Sequence, residues 1–295
     1  MRTAEYDAFG PWIIEVDSEE LLPKLYNGIV DMGKNYDILI KIPRDIERRN
    51  ADSNMDLYDY VLGIYNNELL IYKREDKSVT QDSIKLEDII FIEEISSLLS
   101  GNVILKTALK KFEINFNTVS LTVITKLISI IRRLTRKIYF DIPLEILPDS
   151  NIQNLDIFFT NKVNQMKYEE EDLHVLALQP SINLSYEDYA TYKKIYLRIM
   201  SGHLQSCLYL TNYSELIVLR YGKNFSRIND SDYSFSITYI PFNMITPPVL
   251  TDSSQTSELD VISIGKDDNI IDFIFTDNNI FKESLFKNLK IISKV

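Results

Sequence analysis

One order of elements occurs twice along this chain, and that order constrains the fold more than any other feature. Residues 61–72 read VLGIYNNELLIY and residues 208–219 read LYLTNYSELIVL. Each is an apolar run around a polar centre followed by Glu-Leu. Asn66-Asn67 stands at the first centre and Asn212-Tyr213-Ser214 at the second. Asn tolerates the positive φ of tight hairpin turns, so both segments predict antiparallel hairpins. A strand follows each: 84–95, with a slip in phase near Asp88, and 235–245, whose alternation is interrupted by Pro241 as at an edge or bulge. A second hairpin comes next, over 103–107 and 112–116 in the first copy. In the second copy it runs over 261–264 and 271–275, with Asp267-Asp268-Asn269 at the turn. Period-two alternation of this kind marks strands with one buried face.

Each copy closes with a helix. Leu121, Ile124, Leu127, Ile128, Ile131 and Leu134 recur at helical spacing after Thr118 and Ser120, which can cap it. Phe281, Leu285, Leu289 and Ile292 do the same after Asp277 and Asn278. A strand precedes each first hairpin, at 38–42 and 175–178. The expectation is an α+β protein, mainly antiparallel β, with two units, each a curved sheet closed by a C-terminal helix. Unit boundaries are expected at 1–140, including a lead-in, and 171–295. Residues 141–170 carry Pro143, Pro148, Asp149, Ser150, Asn151, Asn154 and Asn161, a linker composition, with 155–159 as a short packed element. In the lead-in, 12–16 reads as a strand and 19–27 as a helix broken by Pro23. Tyr189, Tyr192, Ile195, Tyr196 and Ile199 predict a helix over 186–200.

Charge narrows the function. Asp and Glu outnumber Lys and Arg by 43 to 32, a net charge of −11. Nucleic-acid binders draw affinity from neutralising phosphates, so this balance argues against them, and against a generally basic membrane-binding surface. The single cysteine, Cys207, allows no intramolecular disulfide. That fits a reducing, cytoplasmic compartment. The first residues show no signal-peptide pattern. Apolar runs such as 89–92 are far shorter than the roughly 20 residues that span a bilayer.

Antiparallel strands closed by one terminal helix define the pleckstrin-homology-like (PH-like) architecture. The stretch 60–133 resembles a bacterial PH-like domain: a tight polar hairpin, IKLEDIIFIEE, GNVILKTALKKFEINF and the helix. Residues 208–292 resemble it more loosely. Phosphoinositide-binding members of that family carry Lys and Arg around a long first loop. Here the corresponding loops are Asn66-Asn67 and Asn212-Tyr213-Ser214, and Lys73-Arg74 come only at the far end of the next strand. The family's lipid site is therefore not carried over. The resemblance implies an assembly or interaction module.

Catalytic signatures are sparse. There are two histidines, His174 and His203, and one cysteine, too few for a Cys/His zinc site. No metal or cofactor is expected. His203 and Cys207 are close enough in sequence to imagine a nucleophile pair, but a small buried thiol is the ordinary role on a strand. Carboxylate clusters at 93–94, 169–172 and 267–268 read as solvated surface and turn. Two cationic groups remain. Arg44, Arg48 and Arg49 share a long connection with Tyr58, and Arg and Tyr are common interface anchors. Arg132, Arg133, Arg136 and Lys137 crowd the end of the first closing helix, where cations complement the macrodipole and could bind an anion or lipid headgroup. Trp12, after Gly10-Pro11, reads as a core plug or edge cover. The expected function is a non-enzymatic, cytoplasmic interaction or scaffolding protein. It would bind a protein partner or itself, and no nucleic acid, through the Arg44/Arg48/Arg49/Tyr58 loop or a sheet edge. The alternative is peripheral association with an anionic membrane through the helix-end cations.

Overall fold

The computed structural model of the protein describes residues 4–139, 142–227, 234–252 and 257–295. The first three residues and the expected boundary at 140–141 lie outside these ranges. The fold is α+β, with mostly antiparallel sheets and few helices. It divides into two compact units. Unit 1 comprises Met1–Ile89 and Leu99–Thr135, and unit 2 comprises Ile90–Leu98 and Arg136–Val295.

Unit 1 begins with a short helix α1 (Ala4–Ala8) and a two-residue strand β1 (Ile14–Glu15). Two 3-10 turns flank Pro23, as that residue dictates. The strands β2 (Ile38–Pro43), β3 (Tyr58–Tyr65), β4 (Glu68–Glu75) and β5 (Ser78–Lys85) then form an antiparallel meander in the order β1-β2-β3-β4-β5. Asn66 and Asn67 join β3 to β4 at φ 52° and 59°, the geometry their side chains tolerate. The phase slip read near Asp88 is real. A 3-10 turn over Leu86–Asp88 separates β5 from β6 (Ile89–Ser96), so the single strand expected over 84–95 is the junction of two. The hairpin β7 (Ser100–Thr107) and β8 (Lys111–Asn117) follows, then helix α2 (Leu121–Thr135). Asn117, not Thr118 or Ser120, caps the approach to α2, accepting from Val119 N at 3.1 Å. Ser120 Oγ instead accepts from Ile13 N at 2.8 Å. Phe9, Val16, Tyr26, Leu57, Tyr58, Val61 and Tyr72 form one core cluster of this unit, and Ile124, Leu127 and Ile131 of α2 are also buried. Trp12 is not in it: the indole is 44% exposed and lies against Gly10, where a β-carbon would fall 2.4 Å from the ring.

Unit 2 contains helix α3 (Ile157–Glu169), β9 (His174–Gln179), β10 (Ile182–Asn183), α4 (Thr191–Ser201), β11 (His203–Leu204), β12 (Cys207–Thr211), β13 (Glu215–Tyr221), β14 (Phe225–Ser226) and β15 (Phe235–Pro241). The strands β16 (Val249–Asp252), β17 (Leu259–Ile264) and β18 (Ile271–Thr276) and the helix α5 (Lys282–Ile292) complete it. Its main sheet has the order β6-β15-β13-β12-β9. β15 ends at Pro241, where a 3-10 turn takes over. A second sheet runs β16-β17-β18, and a third, of two-residue strands, β10-β11-β14. Helix α5 buries Leu285, Leu289 and Ile292 in a core shared with Leu176, Tyr209, Leu216, Ile262 and Phe273. The described part of the expected linker, 142–170, is more structured than its composition implies. Phe159, Val163 and Met166 of α3 are buried, and Phe158 stacks on Tyr221 at 5.5 Å.

Candidate functional site

The connection before β3 turns its cations inward. Arg44 donates to Asp56 O at 3.1 Å and lies 3.8 Å from the Asp59 carboxylate. Asp59 is also gripped by Arg74, at 3.0 and 2.7 Å. Arg48 donates to the carbonyls of Phe9 and Asp7 and stacks on the Tyr6 ring at 4.9 Å, fastening α1 to the unit. Tyr58 is 1% exposed, edge-on to Phe9, with Lys41 Nζ 4.6 Å from its ring. Burial pushes its phenol up to about 12. Arg48 and Arg49 of the expected recognition set are exposed, and Arg49 is paired with Glu47. Tyr58 is therefore no surface anchor, and Arg44 and Arg48 serve the unit's own architecture. The reason is arithmetic: backbone carbonyls and carboxylates in a long connection need donors, and Arg supplies them over the longest reach.

Three of the four helix-end cations are buried or paired. Arg132 is buried. Arg133 reaches Asp37 at 3.6 Å, and Arg136 reaches Glu170 at 3.6 Å. Lys137 is exposed.

A cavity of about 280 Å³ opens in unit 2. Sheet register places its wall. Glu93, Thr238, Val218 and Tyr209 are successive partners across β6, β15, β13 and β12, so they form one row on one face. Arg220 and its partner Cys207 flank that row. Phe91, Phe273 and Ile274 add apolar lining. Arg220, Glu93 and Asn224 satisfy one another. Arg220 donates to Glu93 Oε1 at 2.8 Å and Asn224 Oδ1 at 2.9 Å. Burial pushes the Cys207 thiol up to about 11, against a bond with Tyr209 that lowers it. A thiol held so high is protonated at neutral pH and is a poor nucleophile. His203 turns elsewhere, its Nδ1 2.8 Å from Asn183 Oδ1. Among the described residues no group of three His, Cys, Asp or Glu side chains is placed to hold a metal ion.

The adjoining part of unit 2 carries the most unusual surface. Helix α4 is held from below. Glu258 accepts from Ser185 N at 3.0 Å, Ser185 Oγ at 2.6 Å and Tyr186 N at 2.7 Å. Burial raises its pKa, but these bonds outweigh burial and leave it below the ordinary value. Tyr186, at φ 54°, donates through its hydroxyl to Ser201 O at 2.7 Å. Leu197 packs on Leu184, Tyr186, Leu204 and Leu259. That orientation sends the other apolar side chains outward: Tyr192 is 80% exposed, Ile195 55%, Tyr196 62% and Ile199 59%. The sequence pattern placed these four on one helical face. Periodicity alone does not say whether a face meets the core or solvent, and the Glu258 clamp that decides it lies far along the chain.

No helix among the described residues is long and apolar enough to cross a membrane. Compared with known proteins, the chain matches no protein-family model and no curated protein.

Proposed function

We propose that this is a non-enzymatic interaction protein of the cytoplasm, built from two PH-like units, whose recognition surface is the outward face of α4. The observation that carries the reading is the exposure of Tyr192, Ile195, Tyr196 and Ile199 together on one face. Contiguous apolar surface is costly in water and marks interaction sites. The i, i+3, i+4, i+7 spacing is that of a helix presenting anchors to a partner. Support for the architecture comes from unit 2, where four antiparallel strands adjacent in one sheet (β9, β12, β13, β15) are followed by a three-stranded sheet and a closing helix. In unit 1, β2 to β5, the β7–β8 hairpin and α2 follow a similar order.

The test is site-specific photo-crosslinking of the full chain in cells. A photoreactive residue at Tyr196 should give a discrete adduct that disappears when Ile195 and Ile199 are both changed to Ser. The same probe at Leu109, which is 94% exposed, should not give it. Identical adducts from both positions, or no adduct from Tyr196 to either protein or lipid, would remove the reading.

A further inference from the structure

We infer that α4 is an interfacial helix that lies on an anionic lipid surface. This rests on the reading of α4 as the recognition surface and names what it recognises.

At 3.6 residues per turn, Tyr192, Ile195, Tyr196 and Ile199 occupy an arc of about 100°. Lys193 borders that arc on one side and Arg198 on the other, both exposed, while Leu197 faces the unit's interior. Lys193 Nζ lies 4.1 Å from the Tyr189 ring. With Lys194, the helix carries three cations and no carboxylate over 191–201, within a chain whose net charge is −11. A helix bordered by cations, with tyrosines and isoleucines between them, has the layout of one resting at the headgroup boundary. Its apolar side chains enter the interface, and long cationic chains reach back to the phosphates. Tyr suits that depth, because its ring is apolar and its hydroxyl is wet.

Charge complementarity chooses the occupant. In a symmetric antiparallel pairing of two copies of α4, Lys193 would meet Lys193 and Arg198 would meet Arg198, so self-pairing is opposed. An anionic bilayer neutralises both borders at once. It also needs no groove matched to a ridge of two tyrosines and two isoleucines. The acidity of the whole chain does not cancel this, because at physiological salt charges are screened beyond about 8 Å. Recruitment is therefore reversible and salt-sensitive.

The experiment is co-sedimentation of the full chain with phosphatidylcholine vesicles and with mixed phosphatidylcholine–phosphatidylserine vesicles, at low and physiological salt. The wild type is expected to bind only the mixed vesicles, and less at higher salt. K193E/R198E should weaken binding more than roughly tenfold at low salt. I195S/I199S should abolish it, and R133E should leave it unchanged. The altered side chains are solvent-exposed, and far-UV circular dichroism checks that each variant is folded. No sedimentation, equal binding to neutral vesicles, or binding that follows Arg133 instead of Lys193 and Arg198 would overturn the inference. If vesicles fail while the Tyr196 crosslink captures one protein, the lipid inference falls and the interaction reading stands. If the crosslink fails as well, both fall.

Discussion

Glu93 and Glu94 are neighbours in sequence with opposite surroundings, because successive strand residues face opposite sides. Glu93 meets Arg220, whereas Glu94 shares a row with Ile237, Leu219, Leu208 and Leu178 and is 6% exposed. Burial raises its pKa, with Lys162 opposing. A carboxyl raised in the folded state loses stability as pH climbs from its unfolded value through its folded one. Glu94→Gln is therefore expected to stabilise the protein at neutral pH and to leave it unchanged below about pH 4, as read from urea midpoints at each pH. Glu258 has the opposite sign. Its lowered pKa contributes stability that is present above the unfolded value and is lost as pH falls through the folded one. Glu258→Gln should cost roughly 1.5–3 kcal/mol at neutral pH, the usual range for hydrogen bonds to a charged group, and little in acid. Cys207 gives a third test. Buried and pushed up to about 11, it should resist alkylation at mildly alkaline pH until the protein is unfolded; labelling of the native chain at the rate of a free thiol would contradict its placement. At this scale the sequence was least informative. Arg44, Arg48 and Tyr58 were legible as unusual residues, but their partners Asp59, Phe9 and Lys41 are brought to them only by the fold.

Elements were far more legible than side-chain roles, because they depend on neighbours in sequence. The alternation over 61–72 places β3 and β4, and Asn66-Asn67 places the turn between them, with register pairs Ile64–Leu69 and Tyr65–Glu68. Both turn residues sit in the left-handed region, where a β-branched side chain meets its own backbone. Asn67→Val should cost roughly 1–2 kcal/mol in a denaturant titration, and Asn67→Gly should be tolerated. An unchanged midpoint for Asn67→Val would mean that the hairpin is not the rigid centre of unit 1. Two helices were read less well, for different reasons. In α3 the buried Phe159, Val163 and Met166 have helical spacing, but Asn, Lys and Gln between them give the segment the composition of a linker. In α4 the spacing is clear and the facing is not. Its apolar stripe is broader on the outside than the Leu197 contact on the inside, and a sequence records only the stripe.

At the scale of the whole molecule, chain order and spatial order part at β6. Sequentially adjacent strands usually pair, which is why 84–95 reads as one piece of the first unit. In the structure Ile90–Leu98 belongs to unit 2, and β6 forms an edge-to-edge ladder with β15 from Phe235↔Ser96 to Tyr239↔Ile92. No local pattern announces a partner so distant, since alternation fixes which face of a strand is buried and not which strand lies beside it. A consequence follows for dissecting the protein. A fragment of residues 136–295 would leave the β15 edge unpaired, remove Glu93 from Arg220, and strip Phe91 from the core of the unit. Exposed hydrophobic edges of that kind promote aggregation. The fragment is expected to be poorly soluble or to melt well below the unit 2 transition of the full chain. A synthetic peptide of residues 90–98, added in excess, should bind it and raise its melting temperature in proportion to the logarithm of peptide concentration, as linkage requires. A peptide with Ile92 replaced by Asp should not. A fragment that is soluble and cooperative alone, and indifferent to the peptide, would show that β6 is dispensable and that unit 2 ends at β15.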